Sequence, residues 1–148
     1  MEEFNNILNS TDEELLNSIP KFQSEIVTSF IAQTNNDYIV AADLWLNSTP
    51  SNTAKFGGEE KKPVQYREML IGEIEKFLCG GESYNDERNK IAESADKSQK
   101  YIIGVMSAAL GKTLGVAGTF IAPVIVLALM SFGKMAINAW CEMRVQNR

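Results

Sequence analysis

Residues 113–133, TLGVAGTFIAPVIVLALMSFG, decide the fold. These 21 residues carry no charge, and single lysines, Lys112 and Lys134, bracket them. An uncharged apolar run of about 20 residues is long enough to cross a bilayer as a helix. It has to be buried in lipid, in a partner or inside the protein itself.

The pattern around the run narrows these choices. Upstream, small residues recur four apart at Ser107, Gly111 and Gly115, with Gly104 and Ala108 forming a second small row beside them. Such a ridge lets another helix approach closely, in membranes and in tight helix pairs alike. Gly118 followed by Thr119 supplies a helix stop and a new cap, and Pro123 falls in the first turn of the next helix. The expected result is a helical hairpin over residues 101–143, with an uncharged tip. Downstream of Met130 a polar stripe returns at Ser131, Lys134, Asn138 and Glu142, so the part without any polar face shrinks to about 120–130. That length suits a buried core helix or a re-entrant segment better than a full span. Lys97, Lys100 and Lys112 precede the run, and Lys134, Arg144 and Arg148 follow it, so flanking charge gives no orientation.

Residues 1–100 form a polar body. Ser10 with Glu13, or Thr11 with Glu14, reads as a capping box opening a helix near Asp12. Leu15, Leu16, Ile19, Phe22, Ile26, Phe30 and Ile31 then build one apolar stripe, which Pro20 kinks or splits into helices 12–19 and 21–33. Asn35, Asn36 and Asp37 stop this helix and cap a shorter one through residue 47, where Trp45 reads as a core anchor. Residues 48–62 read as a loop, and Gly57 and Gly58 lack the Gly-Lys-Ser/Thr of a phosphate loop. Pro63 opens a helix that Gly80 and Gly81 end, with Glu68, Glu73 and Glu75 off its apolar stripe and expected in solvent. No Gly or Pro interrupts the chain between residues 86 and 103, which predicts one long helix over 86–117 with an exposed, mixed-charge beginning.

The expected fold is therefore all-α: about five helices, a body at 1–100 and a hydrophobic hairpin at 101–148, folding as one unit. The chain has 148 residues, a net charge of −5 and no histidine. The acidic balance opposes nucleic-acid binding, which needs clustered Lys and Arg. Without histidine, His-based acid–base catalysis and the commonest metal sites are absent, and no other reaction motif replaces them. The two cysteines, Cys79 and Cys141, read as reduced, buried apolar residues, because no secretory segment is visible at the N-terminus.

These readings predict a non-enzymatic adaptor or effector without cofactor, metal site or small-molecule substrate. It would attach to or insert in a membrane through the hairpin, at the cytoplasmic face, and permeabilise it in a conditional version. The alternative is a cytoplasmic protein-interaction subunit, for example of a bacterial defence or toxin–immunity complex, with the hairpin as core or interface and homo-oligomers allowed. Ser107, Gly111 and Gly115 are expected to pack helices. Phe120, Ile121, Pro123, Val124 and Leu127 are expected to meet membrane lipid or a protein partner, with Lys112 and Lys134 as positioning charges.

Overall fold

Thr11 opens the first helix. In the computed structural model, which describes residues 7, 10–48, 63–132 and 137–146, the Thr11 hydroxyl accepts from Glu14 N at 3.1 Å and Thr11 N donates to the Glu14 carboxylate at 2.9 Å. This reciprocal box starts α1 (Asp12–Leu16), and Pro20 separates it from α2 (Lys21–Gln33). Asn35 and Asn36 take left-handed backbone, φ 56° and 67°, which asparagine tolerates better than most residues. Asp37 then caps α3 (Tyr38–Asn47) by accepting from Val40 N.

The stripe expected along α2 is rotated. Gln23 and Val27 are buried, whereas Phe22 is 64% and Ile26 39% exposed. The break at Pro20 lets α2 enter out of phase with α1, so apolar spacing read across the proline does not mark one face.

The helix α4 (Pro63–Cys79) ends as expected before Gly80, whose φ is +97°. Its terminal carbonyls acquire a partner that the sequence hides. Beyond a short turn (Glu82–Tyr84), α5 (Asn85–Glu93) turns the Arg88 guanidinium inward, where it donates to Phe77 O at 3.1 Å, Gly81 O at 2.8 Å and the Asn85 side chain. A cation on a helix C-terminus is favourable, and Arg88 is only 7% exposed, not part of a solvated face.

The long helix expected over 86–117 is broken. After α5, Ser94 turns extended, and Ser98 caps α6 (Gln99–Leu114) by accepting from Tyr101 N. Lys97 donates to Ile91 O at 2.6 Å and Ala92 O at 2.7 Å, closing the end of α5. Serines and Asp96 bonding to nearby backbone compete with helix without any Gly or Pro.

Gly115, φ +77°, is the left-handed cap of α6, three residues before the start of α7 (Gly118–Phe132). The stop is thus Gly115 and not Gly118. The axis bends by 117° between α6 and α7. The second arm also divides: α8 (Ile137–Gln146) comes next, and the Phe132 and Trp140 rings lie 4.4 Å apart. Eight residues along one straight helix would separate them by about 12 Å. Three divisions, at Pro20, at 94–98 and between α7 and α8, turn five expected helices into eight among the described residues. No strand occurs among them.

The apolar run is the centre of the molecule. Every residue from 120 to 130 is buried, and α7 packs against α1, α2, α3, α4 and α6. One core cluster joins Leu15, Trp45, Phe77, Ile103 and Leu127, so the polar body and the apolar tail share it. Cys79 and Cys141 are disulfide-bonded, Cα–Cα 5.7 Å, fastening α8 to the end of α4. This corrects the expectation of two reduced, buried thiols. Their separation of 62 residues concealed that the fold brings two helix ends together.

Candidate functional site

Pro123 organises the site. Within α7 it has no N–H to offer the carbonyl four residues earlier, Thr119 O. Gln23 of α2 supplies the missing donor: its Nε2 reaches Thr119 O at 2.8 Å. Trp45 of α3 donates to the next carbonyl, Phe120 O, also at 2.8 Å, and its ring lies 6.1 Å from that of Phe120. Two buried side chains from the body therefore hold the start of α7.

Beside this junction runs an open groove of about 390 Å³. Ile19 and Pro20 at the α1–α2 corner form one wall and Ile103 of α6 the other, while Gly104, Ala108 and Gly118 leave the space between them free. Gly118 is required for the close crossing of α6 and α7, since a Cβ there would lie 3.0 Å from Ser107 O. Lys100 stands at the edge, exposed and without an ion pair among the described residues.

Two groups in the groove wall lack partners. Gln23 uses its amide nitrogen on Thr119, leaving Oε1 without a hydrogen bond, and Ser107 Oγ has none either. Each residue is 5% exposed. Both atoms are closed off from the groove's open space, and buried polar atoms without partners cost about 1–3 kcal/mol each.

The residues singled out from the sequence fall into three sets. Ser107 and Gly111 lie at the tight end of α6, but Gly111 packs against its own turn: a Cβ there would sit 2.7 Å from Val116 O and 3.0 Å from Gly118 N. Gly115 has open space around it and serves the left-handed turn instead of a helix contact. Phe120, Ile121, Pro123, Val124 and Leu127, expected to meet lipid or a partner, are all buried within the fold in this conformation. Lys112 is exposed in the last turn of α6, and Lys134 and residues 49–62 lie outside the described residues. Gln23 was missed altogether. The one signal for it was a proline inside an apolar helix, which announces an orphaned carbonyl but not its donor.

A second polar cluster lies at the other end of α6. Tyr84 is 1% exposed; its hydroxyl donates to Glu73 at 2.5 Å and lies 3.2 Å from Thr113 Oγ1. Burial, and then the bond to Glu73, push its pKa from 10.0 up to about 12. Held protonated, Tyr84 is a poor base or nucleophile, and the cluster reads as structure. Glu75, expected in solvent, is instead 5% exposed and accepts from Arg144 at 2.9 Å.

The sign of the Tyr84 shift sets a pH dependence. Between about pH 10 and pH 12 the unfolded chain loses this proton while the folded chain keeps it, so stability falls as pH rises. Denaturant midpoints measured across that window are expected to drop more steeply for the parent than for Tyr84→Phe, and parallel curves would refute this.

The chain matches no protein-family model, and no curated protein or solved structure matches it.

Proposed function

We propose that the chain is a non-enzymatic helical binding module, with α6 and α7 as its structural centre and the groove beside them as its contact site. The supporting observation is the open groove itself, lined by Ile19, Pro20, Ile103 and Ala122, with Lys100 as the one charged residue lining it. Concave, mainly apolar sites with a few placed polar groups are the usual form of binding sites. Phe22 and Ile26, exposed on the neighbouring edge of α2, offer apolar surface to a larger partner.

Gly104 provides the test. A Cβ at this position meets nothing within 4 Å, so a large side chain fits without disturbing the backbone. Nile red, a neutral apolar dye, is expected to bind the folded chain at one site, and Gly104→Trp is expected to abolish binding with helicity unchanged. No binding, or binding indifferent to this substitution, would remove the groove as the contact site.

A second reading keeps the membrane. No helix among the described residues is long and apolar enough to cross a bilayer, but α6 and α7 together meet the requirement in length and composition. In this version the body sheathes α7 and releases it. The insertion needs the bonds of Gln23 and Trp45 to α7 to break and residues 120–130 to leave the core. Dye leakage from anionic vesicles, with carbonate-resistant recovery in the membrane fraction, would support it over the groove reading. The disulfide favours an oxidising compartment over the cytoplasmic placement expected from the sequence.

A further inference from the structure

We propose that the Cys79–Cys141 bond is a redox latch: a dithiol reductant opens it in the folded protein and releases α8, while the other helices stay packed. The latch is independent of the groove. The bond joins Cys79, at the exposed end of α4, to the half-buried Cys141. Thiol–disulfide exchange requires a thiolate to reach one of the two sulfurs. The attacking thiolate takes one cysteine into a mixed disulfide and expels the other as a thiolate. The second thiol of the reductant then displaces the first cysteine. Two electrons and two protons pass to the protein, which gains two thiols, and the reductant leaves as a disulfide.

Little besides the bond holds α8. Among its described residues Trp140 alone is buried, whereas Ala139, Glu142 and Met143 face water. Among the described residues α8 packs chiefly on α4. Arg144 reaches Glu75, but the arginine side chain is 38% exposed, and water screens such a pair. Every other buried residue of the core cluster comes from outside α8. A freed helix of 10 residues does not persist in water, since isolated helices shorter than about 12–15 residues are marginal. Release is therefore also unfolding of α8, and it parts the Trp140 and Phe132 rings, leaving both uncovered. Oxidising surroundings keep the latch shut and reducing ones open it, so the same chain presents a different apolar surface in each.

The test is hydrogen–deuterium exchange of the full chain without denaturant, read by mass spectrometry before and after treatment with dithiothreitol, with alkylation to count free thiols. After treatment both Cys79 and Cys141 are expected to alkylate. Residues 137–146 are expected to lose their protection and exchange at the rate of an unstructured peptide, while residues 120–130 stay protected. Reoxidation with oxidised glutathione is expected to restore protection at 137–146. The double change Cys79→Ser and Cys141→Ser is expected to reproduce the reduced pattern with no reductant present, which separates the effect of the bond from that of the reagent. Three results would each overturn the latch. One is a bond that dithiothreitol leaves intact until denaturant is added. Another is a reduced chain in which 137–146 stay protected, which makes the bond a passive staple. The third is loss of protection at 120–130 together with 137–146, which is unfolding of the whole molecule.

Discussion

Leu127→Ala is expected to lower the free energy of unfolding by about 3 kcal/mol, within the 2–5 kcal/mol typical of a buried leucine cut to alanine. Leu127 is 0% exposed and lies near the middle of α7, with neighbours on every side and little freedom for the cavity to collapse. Domains of this size have total stabilities of about 5–15 kcal/mol. The loss is therefore a large fraction of the whole and will be plain in a urea titration. Phe22→Ser, at 64% exposure, is the internal comparison, expected within about 0.5 kcal/mol of the parent. Were residues 120–130 a surface element that meets lipid or partner, Leu127→Ala would leave the isolated protein's stability unaltered. That result would reverse the reading of α7 as core.

The largest effect is expected from the disulfide. Joining Cys79 to Cys141 closes a loop across 62 residues of separation, and the chain-entropy model gives about 4 kcal/mol for such a loop. The folded state relies on it at α8, whose other anchors are Trp140 against Phe132 and Arg144 on Glu75. Dithiothreitol, or the double change Cys79→Ser and Cys141→Ser, is expected to shift the denaturation midpoint strongly downward, with Trp140 becoming exposed before the rest of the core. Equal midpoints with and without reductant would mean that the bond contributes nothing to the fold.

Local signals were legible where one residue acts on its own backbone. The box of Thr11 and Glu14, the break at Pro20, the Asp37 cap and the stop at Gly80 all arise from residues within four positions of their effect. The all-round apolarity of 120–130 likewise marked the most buried helix. Whatever depends on distant partners was not legible. Arg88 looks like one more charge in a solvated run until the end of α4 is brought against it. Glu75 looks solvated until Arg144 arrives from α8, 69 residues away. The groove is the extreme case, since its parts come from the α1–α2 corner, α2, α6 and α7, and Gln23 belongs to it only because Pro123 frees a carbonyl 96 residues from it in the chain. The break at 94–98 is different: its serines and aspartate were visible, but a rule that waits for glycine or proline passes over them.

The placement of the two tryptophans equips the protein with its own optical reporters. Trp45 binds the carbonyl of Phe120 at one end of α7, and Trp140 stacks on Phe132 at the other, about 18 Å away along the helix. The chain contains no other tryptophan. Replacing either by phenylalanine leaves a single fluorophore that watches one end alone, Trp45 beside the groove and Trp140 near the disulfide. Superimposable melting curves from the two would mark α7 as one cooperative unit. Curves that separate would reveal which end yields first, and so from which side the molecule comes open.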